Sequence, residues 1–126
     1  MNKILIIEDE KETRDMFVEA LTEEGFKAIG AKNGRVGIAK TREHIPDLII
    51  CDVTMPELDG YQVLTALRQD STTANIPFIF VSALFNQTER DRATQLGAND
   101  YLSKPCTVEQ LLNAIAKFSN STRSNI

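Results

Sequence analysis

The chain has 126 residues, 42% of them apolar and 25% charged, and its 18 acidic and 14 basic side chains leave a net charge of -4. That length fits one domain of ordinary size with its own hydrophobic core and excludes a second full domain, and the composition excludes a disordered tail. The acidic balance argues against non-specific binding to nucleic acid or to an anionic membrane surface, leaving proteins, metal ions or small molecules as partners.

Short β-branched runs alternate with longer helical stretches. Lys3 to Ile7 is a continuous apolar run of strand length. Lys11 to Glu24 reads as a helix, with Met16, Phe17, Ala20 and Leu21 on one face and Gly25 as its stop. Phe26 to Ala31 is a second, weaker strand. Asn33-Gly34 marks a turn, and Val36, Ile38 and Ala39 suggest a short helix that ends before Pro46. Asp47 to Cys51 is a strong buried strand, and Met55 to Gly60 is a loop rich in turn residues. Tyr61 to Gln69 is a helix facing inward through Val63, Leu64 and Leu67.

Pro77 opens the strand Phe78 to Val81. Asn86 with Glu89 three residues on predicts a capping box for a helix that Gly97 stops. Asp100 to Ser103 is a short fifth strand, and Thr107 with Gln110 predicts a second capping box. The last helix carries the stripe Leu111, Leu112, Ile115 and Phe118, so the domain is expected over residues 1–119 with 120–126 as a polar, frayed tail. Nothing after Phe118 is expected to read DNA.

Five strands alternating with five helices predict βαβ units, a parallel sheet and helices on both faces: an α/β three-layer sandwich. Cys51 and Cys106 are too few for a disulfide framework, and Cys51 lies in an apolar run as a small core residue would. A reduced, cytoplasmic chain is expected. No apolar run has the length of a membrane span, and the N-terminus is too short and too quickly acidic for a signal peptide. The lone histidine, His44, and the lack of a CxxC pair argue against structural zinc. His44 reads as a surface residue and Arg90, Asp91, Arg92 as a solvated helix face.

In parallel sheets of this kind, ligands gather outside the carboxyl ends of the strands. Four of the five ends carry polar chemistry: Glu8 and Asp9 after the first, Asp52 after the third, Ser82 after the fourth and Lys104 after the fifth. Each alone is weak evidence, because Asp is also a common turn former and a lone Lys or Ser is usually solvated surface. Their convergence is what matters. Three neighbouring carboxylates repel, and a divalent cation relieves the conflict. A set of oxygen ligands without Cys or His favours Mg2+. The arrangement suits phosphoryl transfer onto a carboxylate. Asp52, on a buried strand, would be the nucleophile, Glu8 and Asp9 would hold metal, and the Thr54 carbonyl would add a ligand. Lys104 would face the phosphoryl oxygens and Ser82 would offer a hydroxyl donor.

Glu8-Asp9, the LIICD run ending in Asp52, Met55-Pro56 with Asp59-Gly60, Ser82-Ala83, Gly97-Ala98 and Asp100 to Pro105 occur in order over about residues 2 to 118. In this the chain resembles the receiver domain of bacterial response regulators, and the single-domain chemotaxis regulators in particular. The resemblance implies a flavodoxin-like sheet in the order 2-1-3-4-5. It implies that Asp52 is the phospho-acceptor, that Asp9, Glu8, Asp52 and the Thr54 carbonyl bind Mg2+, and that Lys104 pairs with the carboxylate and then the phosphoryl group. It further implies that Ser82 moves to meet the phosphoryl group, that Tyr101 swings inward with it, and that the Lys104-Pro105 bond is cis, aiming Lys104 into the site.

The donor would be a histidine kinase or histidine phosphotransfer protein. The readout would be a downstream protein effector on the surface of helix 4, strand 5 and helix 5. The acidic balance and the lack of a span-length apolar run predict no direct nucleic-acid binding and no membrane insertion, and the resemblance implies a signalling switch that catalyses only its own phosphoryl transfer and dephosphorylation. Departures from the family pattern are Glu8 for the commoner Asp, Ser82 for Thr and Cys106 where Phe often stands. Leu84 and Phe85 either slow the access of water to the phosphoryl group or cap the pocket.

Two other classes are weaker. A haloacid-dehalogenase-like phosphatase would need a second Asp where Thr54 stands, and a phosphate-blind pseudo-receiver would lack part of the acidic cluster or Lys104.

Overall fold

A computed structural model describes residues 2–124, with side chains to residue 118. The described residues form β1 (Lys3–Ile7), α1 (Lys11–Glu23), β2 (Lys27–Ala31), α2 (Gly34–His44), β3 (Leu48–Cys51), α3 (Gly60–Arg68), β4 (Phe78–Ser82), α4 (Gln87–Leu96), β5 (Asp100–Ser103) and α5 (Val108–Ser124). The strands build one parallel sheet in the order β2-β1-β3-β4-β5. The chain therefore reverses direction of winding between β1 and β3, which opens a crevice at the carboxyl edge.

The inner strands β1, β3 and β4 read as near-continuous apolar runs because both their faces are covered. Alternate residues divide between two layers. Leu5, Ile7, Ile49, Cys51, Phe78 and Phe80 face a core shared with Val63, Leu64 and Leu67 of α3. Ile4, Ile6, Leu48, Ile50, Ile79 and Val81 face the opposite way, onto Phe17 and Leu21 of α1 and Leu111, Ala114 and Ile115 of α5. Phe78 and Phe80 are fully buried, and their removal from water contributes about 2–3 kcal/mol each. A slip of one residue in any inner strand would exchange these layers, so burial pins the register that places the strand ends.

The helix starts are set by local chemistry, not always as expected. Asn33 is the N-cap of α2 rather than part of a free turn: its side chain accepts the Val36 N–H at 2.8 Å. Asp59 caps α3 in a reciprocal box with Gln62, inside the stretch that reads as loop. The Thr107–Gln110 box closes in both directions, at 3.0 and 2.9 Å. The Asn86 box is only half made. Asn86 accepts the Glu89 N–H at 2.9 Å, but the Glu89 carboxylate accepts the Tyr61 hydroxyl instead of reaching back. Helix α5 continues to Ser124, into the expected tail of residues 120–126, and positions 125–126 of that tail lie outside the described residues. Among the described residues no helix is long and apolar enough to cross a membrane.

Candidate acidic centre at the carboxyl edge of the sheet

Backbone pairing delivers each polar group to the edge. The Asp52 amide donates to the Ile7 carbonyl at 3.0 Å, extending the β1–β3 ladder by one residue. The Glu8 amide likewise donates to Ala31 at 3.0 Å, and the Lys104 amide to Ser82 at 2.9 Å. Helix α3 begins directly against the end of β3, with the Gly60 N–H on the Val53 carbonyl at 2.8 Å. A Cβ at Gly60 would lie 2.2 Å from the Asp52 carbonyl oxygen, so only glycine permits this approach.

Glu8 and Asp52 are buried, whereas Asp9 is exposed on the β1–α1 loop. One carboxylate oxygen from each can be chosen so that all three lie within 4.8 Å of one another. Lys104 Nζ donates to Glu8 Oε1 at 2.6 Å and to Asp52 Oδ2 at 3.0 Å. The other oxygens are held by main chain: Asp52 Oδ1 accepts the Val53 N–H at 2.7 Å and Glu8 Oε2 the Glu10 N–H at 3.1 Å. Burial pushes the Glu8 carboxyl up, and the nearby Asp52 charge adds to it; the bonds from Lys104 and Glu10 recover only part, so Glu8 titrates above its ordinary range. Burial alone would depress the Lys104 ammonium, but its bonds to Glu8 and Asp52 outweigh that and hold it above its ordinary value.

One ammonium thus faces two buried carboxylates, and among the described residues no cation pairs with Asp9. The excess negative charge and the all-oxygen donor set fit a hard divalent cation. Thr54 is exposed in the loop after Asp52, and among the described residues no donor is bonded to its carbonyl. The Lys104-Pro105 peptide is cis.

Among the described residues no side-chain hydrogen bond joins Ser82 or Tyr101 to this cluster; both side chains hold Leu84. Ser82 is fully buried and its Oγ accepts the Leu84 N–H at 3.1 Å. The Tyr101 hydroxyl donates to the Leu84 carbonyl, and the ring is buried against Phe80. Leu84 and Phe85 themselves are exposed, with the Arg90 guanidinium 5.1 Å above the Phe85 ring. Arg92 lies 4.1 Å over Tyr61, so the α4 arginines cover aromatic rings rather than forming a purely solvated face. Cys51 is fully buried beside Asp52, where burial pushes its thiol well up; Cys106 is half-buried, and His44 lies at the far end of α2.

Two residues near the site escape sequence reasoning. Arg14 Nη1 donates to the Glu8 carbonyl at 2.8 Å and, more weakly, to the Asp9 carbonyl at 3.5 Å. Tyr61 bonds Glu89 and stacks edge-on against Phe80 with ring centroids 5.2 Å apart. Their only sequence signal is position: Arg14 on the first turns after the acidic pair, and Tyr61 directly after Gly60.

The chain matches the family described as response regulator receiver domain over residues 4–116. It is 38% identical over 120 residues to the chemotaxis protein CheY of Bacillus subtilis, covering 94% of this chain and 98% of that protein. It is 37% identical over 124 residues to the transcriptional regulatory protein PcoR of Escherichia coli, covering 98% of this chain but only 54% of PcoR, so it spans about half of that relative. Among solved structures, chemotaxis protein CheY4 of Vibrio cholerae superposes with a TM-score of 0.89 at 28% identity, covering 94% of this chain and 98% of that one. Agreement over almost the whole chain in sequence and in fold leads to one assignment: the chain belongs to the response regulator receiver domain family of two-component signalling.

Proposed function

We propose that this receiver is a phosphorylation switch of the cytoplasm in which Asp52 accepts the phosphoryl group. The observation that carries the reading is the Lys104 ammonium bridging Glu8 and Asp52 within a cluster of three carboxylates. Glu8, Asp9, Asp52 and the Thr54 carbonyl would hold Mg2+. When bound, Mg2+ supplies the positive charge that lets an anionic donor approach an anionic acceptor.

The donor is a phosphohistidine on a histidine kinase or phosphotransfer protein. An Asp52 carboxylate oxygen forms a bond to phosphorus as the P–N bond breaks, and the imidazole leaves with that electron pair. Asp52 is pre-aimed because Oδ1 is held by Val53, so the strand end supplies orientation rather than chemistry. Lys104 neutralises charge on the transferred group, which draws it from its present partners.

Readout follows from the shared grip on Leu84. A Ser82 hydroxyl that turns toward the phosphoryl group gives up the Leu84 N–H. Leu84 then shifts, and with it the carbonyl that Tyr101 holds, so the hydroxyl and the ring together report the change at the α4–β5–α5 surface. That surface has a hollow of about 330 Å³ lined by Phe85, Tyr101, Cys106, Gln110 and Lys117, which suits a downstream protein effector. The domain is a switch that turns over only its own phosphoryl group.

Incubation with acetyl phosphate and Mg2+, followed by intact mass measurement, is expected to add one phosphoryl group per chain. Asp52→Asn is expected to remove the gain. An intact protein that gains no mass and shows no spectral response to beryllofluoride with Mg2+ overturns the reading.

A further inference from the structure

The acidic centre poses a positioning problem. Its three carboxylates repel, and Lys104 offsets only Glu8 and Asp52. Glu8 is fixed by the sheet and by Lys104. Asp9 is exposed, lies on a loop, and pairs with no cation among the described residues. Something else must keep it beside the other two.

We infer that Arg14 is a positioning residue for the metal site, fixing the β1–α1 loop through the carbonyls of Glu8 and Asp9 so that Asp9 stays within reach of a shared cation. The inference rests on the metal-assisted reading above. Arg14 lies on α1, and its stem is seated on β2: a Cβ at Gly30 would stand 3.2 Å from Arg14 Cδ and 3.3 Å from Cγ. Gly30 itself is anchored, since its carbonyl accepts Lys40 Nζ at 2.8 Å. The next residue, Ala31, accepts the Glu8 amide. The seat of the arginine and the origin of the loop are thus neighbours on one strand, and the guanidinium closes the triangle onto the Glu8 carbonyl at 2.8 Å and the Asp9 carbonyl at 3.5 Å.

The choice of main-chain acceptors matters. A guanidinium paired with the carboxylates would occupy the oxygens a metal needs. Bonded to carbonyls, Arg14 contributes positive charge and rigidity and takes up no carboxylate oxygen. Both bonds leave the same nitrogen, Nη1, whose place is fixed by the planar guanidinium, whereas a lysine ammonium is a single point on a flexible stem.

The test is a Mg2+ titration of the full chain followed by the backbone amide resonances of residues 8–10 and 52, with urea unfolding in chelator run in parallel. Arg14→Met keeps the apolar stem and removes the grip; it is expected to weaken Mg2+ roughly tenfold, the usual consequence of losing a group that orients metal ligands. Its stability without metal is expected to change far less. Arg14→Lys is expected to recover part of the affinity. Gly30→Ala, which keeps the guanidinium but crowds its stem, is expected to weaken binding by a smaller factor. Wild-type affinity in Arg14→Met overturns the inference, as does a loss explained entirely by a smaller folded fraction. If Arg14→Met does not fold, unchanged affinity in both Arg14→Lys and Gly30→Ala overturns it. A wild-type chain that binds no Mg2+ overturns the metal reading itself, and does so before any substitution is compared.

Discussion

Lys104 shows how much one side chain carries here. It is the only cation bonded to Glu8 and Asp52 among the described residues, and both carboxylates are buried. Removing one partner of a buried ion pair leaves the other without compensation, and that costs more than the pair itself contributes. Because the Lys104 side chain is about a quarter exposed, the penalty is expected below the fully buried limit. Lys104→Met is expected to lower stability by about 2 kcal/mol in chelator. Saturating Mg2+ is expected to stabilise this variant more than it stabilises the wild type, since a divalent cation can replace the missing charge. Urea unfolding with and without Mg2+ measures both, and equal stabilisation of the two proteins would contradict the shared-site reading. The same residue marks a limit of sequence reading. Lys104 and Glu8 are 96 positions apart, and no local pattern states that they meet.

Among the elements, α4 is the least anchored. Ala93 is its one buried residue, whereas α3 buries Gly60, Tyr61, Val63, Leu64 and Leu67. Its attachment depends on polar and aromatic contacts from outside: the Tyr61 hydroxyl on Glu89, Arg92 over Tyr61, and Arg90 over Phe85. An element with little buried apolar area opens locally at low cost, which is what a switching helix needs. Hydrogen exchange is expected to be faster along α4 than along α3. Tyr61→Phe keeps the ring contact with Phe80 and deletes the hydroxyl bond, so it is expected to cost about 1 kcal/mol and to accelerate exchange in the first turn of α4. Unchanged exchange there would show that Glu89 does not hold the helix. Arg68 does the opposite at the other end of α3. Its guanidinium collects the carbonyls of Ala74, Ile76 and Gly97, fixing the approach to β4. Neither attachment follows from helical periodicity, because Tyr61 meets Glu89 and Arg68 meets Gly97 only after packing, 28 and 29 positions apart in sequence.

For the molecule as a whole, the amino edge of the sheet contributes a pH-dependent term remote from the acidic centre. Asp47 Oδ2 accepts the N–H groups of Asn2 at 3.0 Å and Lys3 at 2.8 Å. Burial pushes this carboxyl up, but those two amides, with the Lys3 charge, more than reverse it and leave it below its ordinary value. A depressed carboxyl contributes stability above its unfolded pKa and loses it as pH falls through the folded one. Asp47→Ala is therefore expected to cost about 1 kcal/mol at neutral pH, modest because the site is exposed, with the difference shrinking in acid. Thermal unfolding of both proteins from pH 7 to pH 3 checks the sign; a difference that grows in acid would refute it.

By itself, the sequence determined the order of strands and helices, the two covered faces of the sheet and the set of polar residues at strand ends. Those properties follow from periodicity and from the alternation of apolar runs, which are local. The family resemblance implies that Lys104 pairs with a carboxylate, and the tertiary structure decided the geometry of that pairing and of the others. The fold placed Lys104 between Glu8 and Asp52, sent the Glu89 carboxylate to Tyr61 instead of its own helix cap, and set Arg14 on Gly30 with its guanidinium on the loop carbonyls. Such pairings depend on distances between segments far apart in the chain, and only the packed sheet sets those distances.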